Sequence, residues 1–442
     1  MEIIAALLSF FMVIWSFVQT ILPPGFDDIF NGGETVLEEN MTPEQLQKEY
    51  DFIYYEDVAN AFNDVNSGAI GTNAIDATND PETEKGAGVY INADGLINIV
   101  ALADNYINGC ICVYKDVTLN LGGHKLYFTM TSTGFDIRNT TEDPDDIVTV
   151  NINGRIDGGA IQVDYDNAVA IANYADTVVN ISEGEYIARS SCRDVDENCL
   201  APNGHKYQTR TLFCAADAEM NVSDAEILTS IDCGYGYGIA NLGILNIENS
   251  RIFADAAYCD DGTNYIYMSI GIQNMGVATV KNCDVTGTHS GISSSGTLYV
   301  DGGTYQSIGH GGVYVSGNGK TSYIQNATLK ACEYEGAYNV SPETSNNTGF
   351  YVGGSLGQDN LVVYIDNCDF YGDRAPFALR GTDGEQNNSI YISNSRISGD
   401  SKIRIDNDTH RLYLGKGNAF TAENITRPSR VFVTEDVYHA DF

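Results

Sequence analysis

Residues 237–252 have the sequence YGIANLGILNIENSRI, and residues 270–285 repeat its pattern as IGIQNMGVATVKNCDV. Both stretches contain two short apolar segments separated by a glycine, and the second segment ends in an asparagine followed by a small residue. Polar and apolar residues alternate in the second segment, as they do in a β-strand that buries one face. The two stretches therefore predict one structural unit that is used repeatedly.

This unit recurs along most of the chain. Alignment of its second strand places one apolar residue of each copy in a first column: Ile181, Val222, Ile247, Val280, Val300, Ile324, Ile365 and Ile392. By subtraction of their numbers, these residues are 41, 25, 33, 20, 24, 41 and 27 residues apart. Alignment of the strand before it gives a second column: Ile239, Ile272, Ile292, Val313, Phe350 and Phe377. Short repeats with longer spacings where loops are inserted are typical of a solenoid of stacked turns.

The two columns predict the fold class. Because each strand pairs with the same strand of the next copy, the sheets are parallel and extend along the solenoid. We therefore predict an all-β chain, a parallel β-helix solenoid with short N-terminal helical segments. Its winding is expected to be right-handed, as parallel crossover connections generally are.

Two further positions of the unit predict a tight corner. The third residue after the first column is always small: Gly184, Ala225, Ser250, Cys283, Gly303, Ala327, Cys368 or Ser395. The residue before it is often asparagine: Asn249, Asn282, Asn326, Asn367 or Asn394. Asparagine tolerates a left-handed backbone and can bond to the same side chain one turn away. We expect a bend at the asparagine and an inward-pointing small residue, with Cys283 and Cys368 as packing thiols.

The N-terminal region has a different pattern. Residues 3–22 contain no charge, and a helix of that length can span a bilayer. Only Met1 and Glu2 precede this stretch, whereas a secretory signal normally begins with basic residues. An assembly helix, a membrane anchor and a signal peptide remain open interpretations. Further along, Thr42 and Pro43 predict a helix start, and the spacing of Val58, Ala61, Phe62 and Val65 predicts an amphipathic helix that caps the solenoid.

These patterns divide the chain into five segments. We predict an apolar helix at 1–22, a linker with a short helix at 23–50, an N-terminal cap at 51–96, the parallel β-helix at 97–400, and C-terminal rungs with a cap at 401–442.

The charge balance excludes one class of partner. Sixty acidic residues against 23 basic ones give a formal net charge of −37, which repels nucleic acid and anionic polysaccharide. We therefore expect no nucleic-acid partner. Ten cysteines are too dispersed for a small disulfide scaffold, although Cys192 and Cys199 lie close enough in one polar segment to form a disulfide in an oxidising compartment.

The repeat resembles that of pectate-lyase-like parallel β-helices over roughly residues 97–400. Four stretches are more narrowly similar to β-helix proteins of gut bacteriophages and prophages, which serve as tail spikes and other virion appendages: YYEDVANAFNDVNSG at 54–68, VTLNLGGHKL at 117–126, SIGHGGVYVSG at 307–317 and KIRIDNDTHRLYLG at 402–415. The resemblance implies the fold and suggests a virion role. It transfers no catalytic residue, because the clustered calcium-binding aspartates and the arginine base of pectate lyases have no counterpart in one column.

Carboxylates on neighbouring turns are the candidates for catalysis. Strands of adjacent turns lie about 4.8 Å apart, close to the carboxylate separation of a retaining glycosidase. Glu185 and Glu226 are the only like-charged neighbours in the column that follows the small residue. The next members, Arg251 and Asp284, alternate in sign, which is typical of surface charge pairs. We treat Glu185 and Glu226 as weak catalytic candidates, and no histidine is accompanied by a nucleophile and a carboxylate in the aligned columns.

The inserted loops carry the remaining candidates. Asp194, Asp196 and Asn198 imitate the start of a calcium-binding loop, but Cys199 replaces the glycine that its turn requires. A structural Ca²⁺ there is the one cofactor we consider. Tyrosines beside carboxylates suit a neutral or amino sugar and give the ligand-binding candidates Tyr258, Asp260, Asp261, Tyr265, Tyr334 and Tyr338.

From these observations we expect a virion appendage, a tail spike or fibre-like homotrimer that binds a host-surface glycan or protein and attaches to other virion proteins through its N-terminus. We expect binding without catalysis, although the sequence leaves the enzyme question open. A polysaccharide depolymerase on the same fold and a secreted or membrane-anchored adhesin on the bacterial cell surface are the two alternatives.

Overall fold

A computed structural model describes residues 41–75, 84–141, 143, 146–154, 158–190, 208–232, 234–256, 268–307, 311–317, 319–331, 348–353, 360–372, 375–379, 387–398, 402–406 and 410–442. The chain divides into two units, Met1–Leu46 and Gln47–Phe442. The apolar segment 3–22 lies outside the described residues. Within them, neither α-helix is long and apolar enough to cross a membrane.

The described part of the chain begins with two helices that alternate with two strands. Eleven successive turns of three strands follow. The first elements are α1 (Pro43–Glu49), β1 (Ile53–Tyr55), α2 (Val58–Ser67) and β2 (Ala87–Ile91). The first six turns are β3 (Ile97–Ala101), β4 (Asn105–Asn108), β5 (Ile111–Val113); β6 (Val117–Asn120), β7 (Lys125–Thr129), β8 (Thr133–Ile137); β9 (Val148–Asn153), β10 (Ala160–Asp164), β11 (Val169–Asn173); β12 (Thr177–Ser182), β13 (Glu185–Ser190), β14 (Gln208–Cys214); β15 (Glu219–Ser223), β16 (Glu226–Ile231), β17 (Tyr235–Asn241); and β18 (Ile244–Glu248), β19 (Arg251–Ala256), β20 (Met268–Asn274).

Five further turns follow. They are β21 (Val277–Lys281), β22 (Asp284–Gly287), β23 (Ser290–Ser294); β24 (Thr297–Asp301), β25 (Thr304–Ser307), β26 (Gly311–Val315); β27 (Thr321–Gln325), β28 (Thr328–Ala331), β29 (Thr348–Val352); β30 (Val362–Asp366), β31 (Asp369–Gly372), β32 (Ala375–Leu379); and β33 (Ser389–Ser393), β34 (Arg396–Ser398), β35 (Arg404–Ile405). The chain ends with β36 (Arg411–Leu414), two 3₁₀ turns at Ala422–Asn424 and Pro428–Arg430, and β37 (Val431–Val433).

Three long sheets result from this order. Sheet A contains the first strand of every turn together with β1, β2, β36 and β37, sheet B contains every second strand, and sheet C contains every third strand. All described pairings between strands of successive turns are parallel. Among the described strands, only β1–β2 and β2–β3 pair in antiparallel fashion. The protein is therefore a parallel β-helix, as the sequence predicts.

The structure confirms the register of both columns. Each member of the first column pairs with the next in sheet A, from Ile181 with Val222 to Ile365 with Ile392. Each member of the second column does the same in sheet C, from Ile239 with Ile272 to Phe350 with Phe377. Both columns point into one continuous apolar core. At roughly 25 cal/mol for each Å² of apolar surface buried, this core is the main stabilising contribution.

The sequence pattern yielded two strands per repeat, whereas the turns have three. The missing strand belongs to sheet B and begins directly after the small residue of the corner, as at Arg251–Ala256. Strands of this sheet are only three to six residues long, and several lead straight into an insertion, so their alternation is too brief to stand out.

The corner between sheets A and B has the predicted geometry. Its asparagines all have left-handed backbones, with φ between 49° and 56°. Asp224 and Glu183 adopt the same conformation in two other turns. One predicted side-chain bond between turns is present, since Asn367 Nδ2 donates to Asn326 Oδ1 at 2.8 Å. The small residue that follows points inward, and Cys283 and Cys368 are buried there as free thiols. Burial raises the pKa of both thiols to about 12.

The helices predicted at Thr42–Pro43 and over Val58 to Val65 are present as α1 and α2, and α2 closes the first turn. Its apolar stripe of Val58, Ala61, Phe62 and Val65 is buried in the same core as the strands. Asn66 satisfies the open edge of sheet C, because its Nδ2 donates to Cys112 O at 2.7 Å and its Oδ1 accepts from Tyr114 N at 3.0 Å. The end of the sheet is thereby blocked against pairing with another chain.

The left-handed corner gives a test of the fold. We expect Asn249→Val to lower the free energy of unfolding by about 1–2 kcal/mol, because a β-branched residue is strained in the left-handed conformation that asparagine tolerates. Asn249→Gly should cost less, since glycine adopts φ near 49° freely. The measurement is urea denaturation followed by circular dichroism, with Glu248→Val at the adjacent exposed strand position as the control. Equal losses for valine and glycine would contradict the assignment.

Candidate functional site

Long insertions leave the solenoid at one edge. Residues 191–207 connect β13 to β14, residues 257–267 connect β19 to β20, and residues 332–347 connect β28 to β29. All three segments therefore join a strand of sheet B to a strand of sheet C. Their first and last members belong to turns that are five steps apart, which corresponds to about 24 Å at about 4.8 Å per turn. We call this boundary the B–C edge.

The predicted loop residues belong to these three segments. The ligand-binding candidates Tyr258, Asp260, Asp261 and Tyr265 belong to the second segment, and Tyr334 and Tyr338 belong to the third. The calcium candidates Asp194, Asp196 and Asn198, and the cysteine pair Cys192 and Cys199, belong to the first. All of them lie outside the described residues, so their roles remain predictions. The topology brings the chain segments that carry them to the same edge.

Strand residues beside the B–C edge add polar groups. Asp164, Arg189, Ser230 and Asp255 are in register on four consecutive turns of sheet B. The first three are exposed and Asp255 is half-buried. Arg189 and Asp255 each lie just before one of the insertions. This ladder of mixed charge can donate and accept hydrogen bonds along the edge.

The two carboxylates proposed as weak catalytic candidates are neighbours, as predicted. Glu185 and Glu226 pair directly across one step of sheet B. Glu226 is also paired with Arg251, whose Nη1 lies 3.4 Å from Glu226 Oε1, and both side chains are substantially exposed. The general acid of a glycosidase keeps its proton in a sheltered, apolar setting. Here the arginine and the solvent instead give the arrangement of a surface charge ladder.

An exposed aromatic pair was missed by the sequence analysis. Tyr106 of β4 and Tyr127 of β7 are in register on sheet B, with ring centroids 4.9 Å apart and planes inclined by 13°. Because β4 is the last strand of its sheet and Tyr106 is 74% exposed, one face of this ring is open to solvent. The two tyrosines are 21 residues apart, which matches the base repeat and was the available signal.

Polar residues lie close in sequence to Tyr106 and Tyr127, in or just before the same two strands. Asn108 and Thr129 are exposed and paired in the same two strands. Asp104 Oδ1 lies 3.7 Å from His124 Nδ1 and also accepts from Lys125 N at 2.9 Å. An open ring face beside amide, hydroxyl and carboxylate groups suits a neutral or amino sugar, which stacks its C–H face and bonds through its hydroxyls.

Metal binding has no support from the described residues. No group of three or more histidine, cysteine, aspartate or glutamate side chains is placed to hold a metal ion in the part of the chain that the structure describes. The structural Ca²⁺ considered for Asp194, Asp196 and Asn198 falls outside that part.

Comparison with protein-family models, curated proteins and solved structures found no match to this chain. The architecture itself is that of a parallel β-helix. Function therefore has to be inferred from the B–C edge and its neighbouring faces.

The carboxylate pair leads to a negative prediction. Because Glu226 is held in an ion pair with Arg251, incubation with host envelope polysaccharides should release no oligosaccharide, as measured by reducing-end assay and mass spectrometry. If release is observed, Glu185→Gln and Glu226→Gln decide its origin. Loss of release in either variant, with Asp284→Asn as the control in the same column, would establish a depolymerase.

Proposed function

We propose that this protein is a virion appendage, a tail spike or fibre-like structural protein that attaches a phage to its host surface through the B–C edge. The observation that supports the proposal most directly is the emergence of three long insertions from one boundary of a rigid solenoid. Loops on a rigid scaffold are where binding residues concentrate. An edge of about 24 Å can contact several units of a glycan or a protein surface at once.

The composition of the B–C edge favours a particular ligand class. The chain carries a formal charge of −37, which disfavours anionic polysaccharides. Its insertions contain tyrosines next to carboxylates, and the Tyr106 ring offers an open face on the adjacent sheet. A neutral or amino-sugar glycan on the host surface is therefore the ligand we propose, and a host protein is the alternative within the same role.

Binding is favoured over catalysis by the described carboxylates. Glu185 and Glu226 form a solvated charge ladder with Arg251, which is unsuited to a general acid. A depolymerase remains the enzyme alternative, with its residues in the insertions. A secreted or anchored bacterial surface adhesin is the third candidate, and it would require residues 3–22 to act as a signal or an anchor.

We further propose that the appendage is a homotrimer, held in the virion by other structural proteins that contact its N-terminal residues. A patch of four apolar side chains supports self-association. Leu242, Ile244, Met275 and Val277 lie on two consecutive turns where sheet C leads into sheet A, and each is 38–50% exposed. In three parallel copies, identical patches can meet around a three-fold axis and exclude water.

The attachment role is tested by removing one insertion at a time. The fold supplies its own short replacement, because β22 connects to β23 through only Thr288 and His289. We expect replacement of residues 257–267 or 332–347 by a Thr-His turn to preserve the circular dichroism spectrum and the melting temperature. Binding to host cells and to neutral-glycan arrays should fall by at least about tenfold, the equivalent of 1.4 kcal/mol.

Two controls make this outcome interpretable. Substitution of Thr288 and His289 by two serines alters a short B–C connection and should leave binding unchanged. Tyr106→Ala should weaken glycan binding, whereas Tyr106→Phe should retain it because the ring remains. Full binding after removal of both insertions would contradict the proposed use of the edge.

The trimer is tested through the apolar patch. We expect Ile244→Asp combined with Val277→Asp to lower the mass measured by light scattering from three chains to one, because buried unpaired carboxylates strongly disfavour association. Tyr371→Asp, at an exposed aromatic position on sheet B, serves as the matched control and should remain trimeric. A full-length wild-type monomer would refute the trimer directly.

A further inference from the structure

The outer face of sheet A carries a stack of aromatic rings. Six residues are in register on consecutive strands: Tyr299, Tyr323, Tyr364, Tyr391, Tyr413 and Phe432. Neighbouring centroids are 4.5–5.6 Å apart and the planes are inclined by 4–24°. We call this set the aromatic ladder. Its rings face one another, so their edges point away from sheet A and no ring face is open to stack on a sugar. We call the strip of sheet A over this ladder the groove.

The last nine described residues, Thr434–Phe442, lie along this ladder, and we call them the tail. Thr434 N donates to Leu414 O at 2.8 Å, Tyr438 N donates to Ser393 Oγ at 3.0 Å, and Lys281 Nζ donates to Phe442 O at 2.8 Å. These contacts carry the tail from β36 to β21, which is five turns away and about 24 Å. The tail stays beside β36 as far as Asp436, whose O accepts from Lys416 N at 2.9 Å, and then crosses the strands towards β21.

Two aromatic side chains of the tail pack into the ladder. The Tyr438 ring lies 5.2 Å from that of Tyr391 at an angle of 63°, in an edge-to-face arrangement. The Phe442 ring lies 5.2 Å from Tyr299 and 6.3 Å from Tyr323. Val437, which precedes both rings in the tail sequence, is 52% exposed. The groove thus selects two rings that are four residues apart.

One groove residue, Gln325, forms hydrogen bonds to the main chain of the tail. Gln325 is almost fully buried, its Nε2 donates to Ala440 O at 2.9 Å, and its Oε1 accepts from Ala440 N at 3.1 Å. This two-point contact imitates the pairing of a neighbouring β-strand and fixes the register of the tail. A buried amide that meets both main-chain groups of one residue is a feature of peptide recognition.

Charges at the groove complement the tail. Lys416 Nζ lies 3.2 Å from Glu435 Oε2 near its beginning, and Lys281 lies at its end. Between them, His439 Nδ1 lies 3.1 Å from Asp366 Oδ2, a carboxylate that also accepts from Asn394 Nδ2 at 2.8 Å. Two of the 23 basic residues of the chain thus contact the tail, one at Glu435 and one at the Phe442 carbonyl.

We propose that the groove over the aromatic ladder is a peptide-binding site for the tail sequence, and that the tail of a second copy of this chain can bind there in place of the chain's own tail. The groove residues that bond to the tail beyond Thr434 are 19 to 161 positions away in the sequence. None of these contacts requires groove and tail to belong to one chain. Exchange of such a segment between copies links them without any new interface.

The first experiment measures recognition with a labelled synthetic peptide, TEDVYHADF, corresponding to residues 434–442. The receptor is the full chain carrying Tyr438→Ala and Phe442→Ala, whose own tail has lost both ring contacts and is therefore a weaker competitor. We expect saturable one-to-one binding in fluorescence anisotropy, weakened at least about tenfold when both rings of the peptide are replaced by alanine. Gln325→Ala in the receptor should weaken it similarly, whereas Val437→Ala in the peptide should not. A peptide that does not bind, or binds equally with and without its rings, would overturn the site.

The second experiment tests exchange by complementation between two full-length chains with different affinity tags. One carries Tyr438→Ala and Phe442→Ala, so that only its groove is intact. The other carries Lys281→Ala and Gln325→Ala, so that only its tail is intact. We expect one chain to be captured through the tag of the other. The control pair consists of two differently tagged chains that both lack the tail rings, and the complementary pair should show at least about threefold more capture than this control. Because this comparison subtracts association through the apolar patch, equal capture would overturn exchange and identify the tail as a latch within one chain.

Discussion

The structure depends on one constraint: every strand must pair in register with the same strand of the next turn. Parallel pairing fixes the corner between sheets A and B, which has two residues in each of eight consecutive turns, from Glu183 and Gly184 to Asn394 and Ser395. The first of the two has a left-handed backbone and the second is small. An added residue here would move the following strand by one position and turn its apolar side chains outward.

The same constraint explains where variation is tolerated. The B–C edge ranges from two residues between β22 and β23 to the seventeen of 191–207, yet the strands on either side keep their register. A loop that closes between fixed strand ends costs little extra as it lengthens, so insertions accumulate where no corner geometry has to be preserved. The insertions and the corner residues are thus separated around the cross-section of the turns that carry them.

Residues that recur at the same position in every turn can be predicted from the sequence. Features that occur in only a few turns are missed. The inward columns beginning at Ile181 and Ile239 were both correct because every turn repeats them. Strands of sheet B were overlooked because their short alternation merges with the insertions, and the Tyr106 and Tyr127 pair was overlooked because its turns precede the aligned repeats. Most of the aromatic ladder was available from the alignment, since Tyr299, Tyr323, Tyr364 and Tyr391 each directly precede a member of the first column, whereas Tyr413 and Phe432 lie beyond the aligned repeats. Candidates in the insertions were proposed from residue type alone, because loop sequences carry no such repeat.

Segments outside the turns cover the solenoid in two different ways. At the first turn, α2 places Asn66 against the open backbone of β5, so one side chain replaces the missing strand. The tail instead crosses the outer face of sheet A, over strands that are already paired on both sides, and is held there by ring contacts and the Gln325 amide. Such side-chain contacts depend on residue identity more than strand pairing does, because backbone hydrogen bonds are the same for every sequence. The cap formed by α2 bonds to backbone groups that every sequence has. The covering of sheet A, in contrast, depends on the sequence of the segment that lies on it.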